Sequence, residues 1–214
     1  MKIDHLLWGV RALEDGIREI GERTGVEPAP GGSHPGFGTR NALLALGEAC
    51  YLEIVAPDPA QSELRSFGRY LANLEAPRLL TWAARTDDLD LLREKTRQHG
   101  LQPGEIHALS RRRPDGTRMS CRLFEIAGHE GGALVPFFIQ FDQGVTHPAR
   151  TAPAGCGLQR LVLRTQKPAE LAGILRILEL EGEVAIELAG GEEMVATLDA
   201  PRGRVDLRGR REAS

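Results

Sequence analysis

The feature that most constrains the fold is a pattern that occurs three times along the chain. A short apolar stretch with the composition of a β-strand begins each repeat, at residues 3–10, 79–86 and 159–165. Each stretch is followed by a segment whose apolar residues recur at helical spacing and which a glycine ends, at residues 12–24, 88–99 and 168–180. Because further strand-like stretches follow each helix, the sequence predicts an α+β fold of repeated βαβββ modules.

The repeats also predict how the chain divides. We expect two full modules at about residues 1–57 and 78–143, paired in one domain over residues 1–150, and a shorter third module over residues 156–210. A further helix is expected between the first two modules, at residues 62–74. The third module is more polar than the others, which suits a structural role such as covering a sheet edge or mediating dimerisation.

Composition and charge argue against several classes of function. The chain has 27 Lys and Arg residues against 30 Asp and Glu, a net charge of −3, so nothing in its charge favours a nucleic-acid partner. No apolar run approaches the roughly 18 residues that span a bilayer, so no membrane partner is expected. The first strand-like stretch begins at residue 3 with no visible signal peptide, which predicts a cytoplasmic protein.

The alternation of side chains along the strands brings two polar residues of the first module together. In the stretch at residues 50–56, Leu52 and Ile54 share one face and Glu53 lies on the other. In the opening stretch, His5 lies opposite the apolar face that includes Leu6 and Trp8. If the apolar faces pack on the helices, the imidazole of His5 and the carboxylate of Glu53 meet on one concave surface.

This arrangement predicts a divalent metal site, because nitrogen and oxygen ligands would be held on rigid strands with coordination positions left for substrate. The same alternation places Gln140 in the second module where Glu53 lies in the first, and Thr81 where His5 lies. Spacing alone equally allows a hydrogen-bonded structural histidine and a half-exposed glutamate. In the third module, Arg160 and Asp206 occupy the matching positions, which suit a salt bridge better than a metal.

A Gly- and Pro-rich stretch before the strand-like stretch at residues 39–46 carries further candidates. His34 lies in GGSHPGFG, a loop of the kind that closes over active sites, and we assign it with Glu53 as a candidate catalytic residue. Arg40 and Asn41 follow as candidate substrate-binding residues, since a guanidinium binds carboxylate or phosphate in a bidentate manner. The alternative is a simple connection, with Arg40 solvated or paired with Glu48. His147 is expected to reach the rim of the same surface or to act as a structural cap.

Three segments resemble the glyoxalase-like domain family of the vicinal oxygen chelate superfamily. They are IDHLLWGV with its His5, and the segments at residues 34–59 and 134–148. The resemblance implies paired modules whose curved sheets form an open cup with the helices on the outer side. It also implies a divalent ion of Mn, Fe, Ni or Zn held by His5, Glu53 and Gln140, with Thr81 standing where the family has His or Glu.

The predicted function is therefore a metal-dependent enzyme that acts on a small oxygenated substrate as a lyase, isomerase or dioxygenase. Glu53 would act as a base if no metal binds. The alternative is a metal-free protein that binds or sequesters a small ligand in the same cup, with Tyr51 and Phe138 lining it. A homodimer is the expected assembly.

Overall fold

A computed structural model describes residues 1–61, 66–112, 116–129 and 131–210. The first βαβββ module comprises β1 (Lys2–Gly9), α1 (Leu13–Thr24), β2 (Ala29–His34), β3 (Thr39–Ala45) and β4 (Tyr51–Pro57), and α2 (Ser66–Ala72) follows it. The next module comprises β5 (Arg78–Arg85), α3 (Leu89–Gln98), β6 (Gln102–Pro103), β7 (His107–Arg112), β8 (Arg118–Phe124), β9 (Ile126–Ala127) and β10 (Phe137–Phe141). The last comprises β11 (Gly157–Thr165), α4 (Pro168–Ile177), β12 (Ala185–Leu188), β13 (Glu193–Ala200) and β14 (Gly203–Arg210).

The first two modules form one eight-stranded sheet in the order β2-β3-β4-β1-β5-β10-β8-β7. Each module contributes four strands in the same relative order, with its first strand parallel to its last, and β1 and β5 join the halves as an antiparallel pair. The edge strands β2 and β7 come close together, so the sheet curves into a nearly closed cup. This confirms the predicted α+β fold and the cup.

The convex face of this sheet carries most of the apolar core. Buried side chains of α1 and α3, such as Ile20 and Leu92, pack there against Leu6 and Trp8 of β1. The turn to Gly25, with φ +82°, ends α1 as the sequence predicts. The four-stranded sheet of the third module lies on the same side, since its buried residues belong to the same cluster.

Helix α2 packs on the opposite, concave face. Its Leu71, together with the nearby Leu74, contacts Leu7 of β1 and Val55 of β4. The sequence predicts a helix at residues 62–74 but does not indicate where it packs, and residues 62–65 lie outside the described part of the chain. The concave face is therefore partly covered by apolar side chains of the connection between the modules.

The third module has the element order βαβββ but a different strand order from the other two. Its sheet runs β12-β11-β13-β14, so its first strand lies between the second and third strands rather than beside the last. Arg160 binds Glu187 at 3.1 Å, and Asp206 accepts a hydrogen bond from Thr197 at 2.9 Å. The expectation that Arg160 and Asp206 suit a salt bridge with each other is wrong, because Thr197 lies between them in the register.

No helix in the described ranges is both long and apolar enough to cross a membrane.

The contact between β14 and β5 gives a testable prediction. A Cβ atom at Gly209 would lie 1.9 Å from the carbonyl oxygen of Leu79, so Gly209→Ala must push the two strands apart. We expect the free energy of unfolding to fall by about 1–3 kcal/mol in urea denaturation. Gly157→Ala is the matched control, because nothing lies within 4 Å of a Cβ at Gly157. Equal stability of both variants would contradict the close packing of β14 on β5.

Candidate active site

The site is built around two adjacent residues of β1. His5 is 2% exposed and Asp4 is fully buried. The pairing of β1 with β5 is irregular between Ile3 and His5, and a bulge of this kind changes the direction of a side chain. Asp4 and His5 consequently meet although they are neighbours on one strand, with Asp4 Oδ1 2.7 Å from His5 Nδ1.

The second oxygen of Asp4 is held from two other segments. Oδ2 lies 2.9 Å from His147 Nε2 and 3.4 Å from a guanidinium nitrogen of Arg85. Burial tends to raise the pKa of Asp4, but the hydrogen bonds from His147 and His5 outweigh it and lower this pKa to about 2. Asp4 is therefore ionised at neutral pH, and Nδ1 of His5 donates its hydrogen to it.

His147 is both a cap and a partner of Asp4. Its Nδ1 accepts a hydrogen bond from the backbone N–H of Ala149, so the hydrogen directed at Asp4 lies on Nε2. Both roles that the sequence suggests for His147 are thus present, since it caps a short 3-10 helix and also supports the site.

Glu53 of β4 reaches His5 from the neighbouring strand. The two strands are parallel and Glu53 pairs with Leu7, which places its side chain on the concave face. Glu53 Oε2 lies 3.4 Å from His5 Nε2, and Oε1 accepts a hydrogen bond of 2.8 Å from Asn41 Nδ2. The structure thus brings the predicted pair together on one surface.

His34 lies on the other side of Glu53. It is the last residue of β2, and its Nε2 is 3.7 Å from Glu53 Oε1 and 3.2 Å from Asn41 Nδ2. Its Nδ1 is 2.9 Å from the hydroxyl of Thr39. Because Nε2 accepts from Asn41, Nδ1 carries the hydrogen and donates it to Thr39. The carboxylate of Glu53 therefore has an imidazole on each side.

Tyr51 forms one wall of the site. Its ring stacks on the imidazole of His5 with centroids 4.6 Å apart, and its edge meets His147 at 5.6 Å. Tyr51 is 4% exposed, so it holds these two rings in place rather than lining an open cup as predicted.

Gln140 and Phe138 do not join the site. Gln140 accepts a hydrogen bond from the backbone of Leu89 and another from Arg122, at the start of α3 on the convex side. Phe138 is fully buried against Phe124 in the core. Their predicted placement on the concave face is wrong, because the face of β10 that carries them turns toward α3 and the wholly apolar face turns into the cup.

The face of β10 that looks into the cup carries Phe137 and Ile139. Thr81 pairs with Leu7, and Ala83 lies opposite His5. The second module therefore contributes apolar surface to the cup where the sequence predicts a metal ligand. Within the described ranges, no three His, Cys, Asp or Glu groups lie together in a way that would hold a metal ion.

A pocket of about 840 Å³ opens beside Asn41 at the sheet edge formed by β2. Arg40 lines it and points toward α1, where it binds Glu14 at 2.9 Å. Asp58 also lines it and is held by Ser33 at 2.5 Å. Burial tends to raise the pKa of Asp58, but hydrogen bonds from Ser33, Gln61 and a backbone N–H lower it.

Two buried polar atoms of this pocket have no hydrogen-bond partner among the described residues. They are the Nε of Arg40, a donor, and the Oδ1 of Asn41, an acceptor. Turning the amide of Asn41 around would direct its oxygen at the carboxylate of Glu53, so the present orientation is the favourable one. Strand β2 passes close to the Oδ1 atom of Asn41 at Gly31, where a Cβ atom would lie 2.3 Å from this oxygen.

Asp4, Arg85 and Asp58 are not among the site residues that the sequence predicts. Asp4 could have been found only through the bulge that turns it toward His5, which the sequence does not show. Arg85 ends the first strand of the second module and reaches the site through the antiparallel pairing of β5 with β1. That pairing is a long-range property, and residue spacing does not encode it.

The chain is similar to several known proteins. A family model described as a glyoxalase-like domain matches residues 3–178, whereas no curated protein matches the sequence. A hypothetical protein from Staphylococcus aureus is 13% identical with a TM-score of 0.68, and the match covers 98% of this chain and 85% of that one.

Methylmalonyl-CoA epimerases also match. A variant of the Streptomyces coelicolor enzyme, in complex with 2-nitronate-propionyl-CoA, is 18% identical with a TM-score of 0.50, over 69% of this chain and 99% of that one. The Mycobacterium tuberculosis enzyme is 22% identical with a TM-score of 0.48, over 64% and 86%. At these identities the structural likeness is one of fold.

The buried charge of Asp4 predicts a pH-dependent contribution to stability. Its pKa is about 2 in the folded protein and 3.8 ordinarily, so its contribution is present above about pH 4 and is lost as the pH falls toward 2. We expect Asp4→Asn to lower the free energy of unfolding at pH 7 by about 2 kcal/mol, and this difference should shrink toward pH 2. Urea denaturation at several pH values measures both.

Asp15→Asn is the control for this experiment, since Asp15 is exposed and pairs only with its helix neighbour Arg18 in the described part of the chain. It should change stability by less than about 0.5 kcal/mol at every pH. A loss in Asp4→Asn that is equal at pH 7 and at pH 2 would show that the charge of Asp4 is not what stabilises the fold.

Proposed function

Because the chain belongs to the glyoxalase-like domain family of the vicinal oxygen chelate superfamily, we propose that it is an enzyme that moves a proton on a small oxygenated substrate. The observation that carries this proposal is the position of Glu53. Its carboxylate is 12% exposed and lies between His5 Nε2 at 3.4 Å and His34 Nε2 at 3.7 Å, with the amide of Asn41 donating to it.

The pair of His5 and Glu53 is suited to hold one movable proton. Nδ1 of His5 already donates to Asp4, so a hydrogen bond between Nε2 and Glu53 needs a further proton on one of the two groups. The pair can therefore release this proton to a substrate or take it up again, and the amide of Asn41 still donates to the Glu53 carboxylate when the proton is absent. This is what general acid–base catalysis requires of its residues.

The geometry favours reactions that begin by removing a proton from a carbon next to a carbonyl group. Glu53 is the base in this proposal, and returning the proton completes an isomerisation, whereas loss of a neighbouring group makes the reaction a lyase reaction. His34 lies within reach of the same carboxylate and acts as the second acid–base group.

The two unpaired atoms of the neighbouring pocket indicate what a substrate offers. Arg40 Nε would donate to a carbonyl or carboxylate oxygen, and Asn41 Oδ1 would accept from a hydroxyl or amide group. Asn41 touches both the pocket and Glu53, so a substrate bound there would lie beside the base. We propose a small polar molecule with an oxygen acceptor and a hydroxyl close together.

The predicted divalent ion fits these residues only in part. Nε2 of His5 is oriented by a carboxylate on Nδ1, as in many metal-binding histidines, and Glu53 supplies a second ligand. His34 Nε2 lies beside the same carboxylate but accepts from Asn41, and Gln140, the third ligand that the resemblance implies, is on the other face of the sheet. The proposed proton transfer therefore depends on the residues of the site and not on an ion.

Exchange of carbon-bound hydrogen with D₂O tests the proposed function. We would incubate a panel of small 2-hydroxy and 2-oxo acids with the protein and follow loss of the α-hydrogen signal by proton NMR. We expect exchange in at least one compound, and a reduction by at least about 100-fold in Glu53→Gln, because the amide cannot accept the proton. Glu22→Gln, at an exposed glutamate of α1, is the matched control and should leave the rate unchanged.

Slow exchange in every compound, with tight stoichiometric binding of one of them, would instead identify the metal-free binding protein that is the alternative prediction.

Removal of metal distinguishes acid–base catalysis by the residues alone from the metal-dependent enzyme that the sequence predicts. We expect exchange to persist within about twofold after dialysis against EDTA, because the acid–base residues are complete without an ion. Elemental analysis of wild type and His5→Ala, purified without a nickel column, accompanies it. Exchange that stops on chelation and returns with one of Mn, Fe, Ni or Zn would establish the metal-dependent enzyme.

A further inference from the structure

A second pocket lies at the other end of β1, on the far side of Asp4 from Glu53. It has a volume of about 370 Å³, and the side chains of Arg85, His147 and Arg150 line it together with Glu48. The loop at residues 144–147 forms one of its walls. Neither the family resemblance nor the proposed proton transfer assigns a role to this pocket.

The charges of this pocket favour an anion. Arg150 is exposed and makes no ion pair within the described ranges, and Arg85 has only the 3.4 Å contact with Asp4 Oδ2 as an ionic interaction there. Each guanidinium has five N–H donors, so most of these donors stay available to a ligand. Against them stand two carboxylates: that of Glu48, which is exposed and can turn toward solvent, and that of the buried Asp4, which already contacts Arg85.

We propose that this pocket binds a small oxyanion, a carboxylate or phosphate group, between Arg85 and Arg150. Guanidinium groups recognise such anions through paired N–H donors, and two of them at one pocket suit an anion with several oxygens. Nε2 of His147 already donates to Asp4, so this histidine shapes the wall of the pocket rather than supplying a third donor.

Asp4 connects the pocket with the site. Its Oδ1 accepts from His5, and its Oδ2 contacts Arg85 and His147. One carboxylate therefore contacts both the anion pocket and the candidate active site. An anion that draws Arg85 away removes one positive charge from Oδ2. The negative charge of Asp4 is then balanced more by His5, and the electronic state of the His5 ring changes with occupancy of the pocket.

Titration with inorganic phosphate, at constant ionic strength maintained with chloride, tests the binding site. We expect saturable binding of one phosphate per chain in isothermal titration calorimetry, weakened at least about tenfold by Arg150→Gln. Arg11→Gln is the matched control, because Arg11 is an exposed arginine without an ion pair among the described residues, at the opposite end of β1. It should bind phosphate within about twofold of wild type.

A parallel titration with acetate distinguishes the two anion classes, and the anion that binds more tightly identifies the class that the pocket prefers. Non-saturable heats with both anions, or an equal loss of affinity in Arg150→Gln and Arg11→Gln, would overturn the binding site. Arg150 is exposed, so its substitution is expected to leave the melting temperature unchanged, which circular dichroism verifies.

The coupling of the pocket to His5 through Asp4 is tested separately, by NMR of the His5 ring. In ¹⁵N-labelled protein, the ring nitrogen resonances of His5 should shift along the same saturation curve as phosphate binding. A saturating anion that leaves the His5 resonances unmoved would refute the link through Asp4. These measurements need no substrate, so they stand or fall independently of the proton transfer proposed for Glu53.

Discussion

The buried negative charge of Asp4 is the constraint on which the rest of the site depends. An ionised carboxylate without solvent is stable only when several donors surround it, and here these come from β1, β5 and the segment that follows β10. These contacts fix the tautomers of His5 and His147, and they connect the first two modules at one point. The orientation of His5, and hence the placement of its Nε2 beside Glu53, follows from them.

The two modules share a topology but have different tasks. Glu53, His34 and Asn41 all come from the first module, on β2, β3 and β4, whereas the second contributes Arg85 and apolar surface. A symmetric scaffold thus carries an asymmetric site. The third module, with its different strand order, packs on the convex face and takes no part in the site described above.

Sequence patterns predict this fold well where the two faces of a strand differ in polarity. Leu52 and Ile54 enter the core while Glu53 does not, so the alternation places the carboxylate beside His5 correctly. The same rule fails for Gln140, because the wholly apolar face of β10 turns into the cup, where it meets other apolar side chains. Asp4 depends on a bulge and Arg85 on the pairing of distant strands, and neither leaves a local signal in the sequence.

Helix α2 occupies part of the interior of the cup, where a ligand could otherwise bind. Its Leu71, with the neighbouring Leu74, covers Leu7 and Val55, so this part of the apolar surface inside the sheet is already covered by the chain itself. A substrate would therefore gain little binding free energy from a long hydrocarbon chain at this position. Side chains of α2 thus occupy the place where an apolar ligand would bind. The hydrogen-bonding groups at the sheet edge are then what determines which substrate is selected.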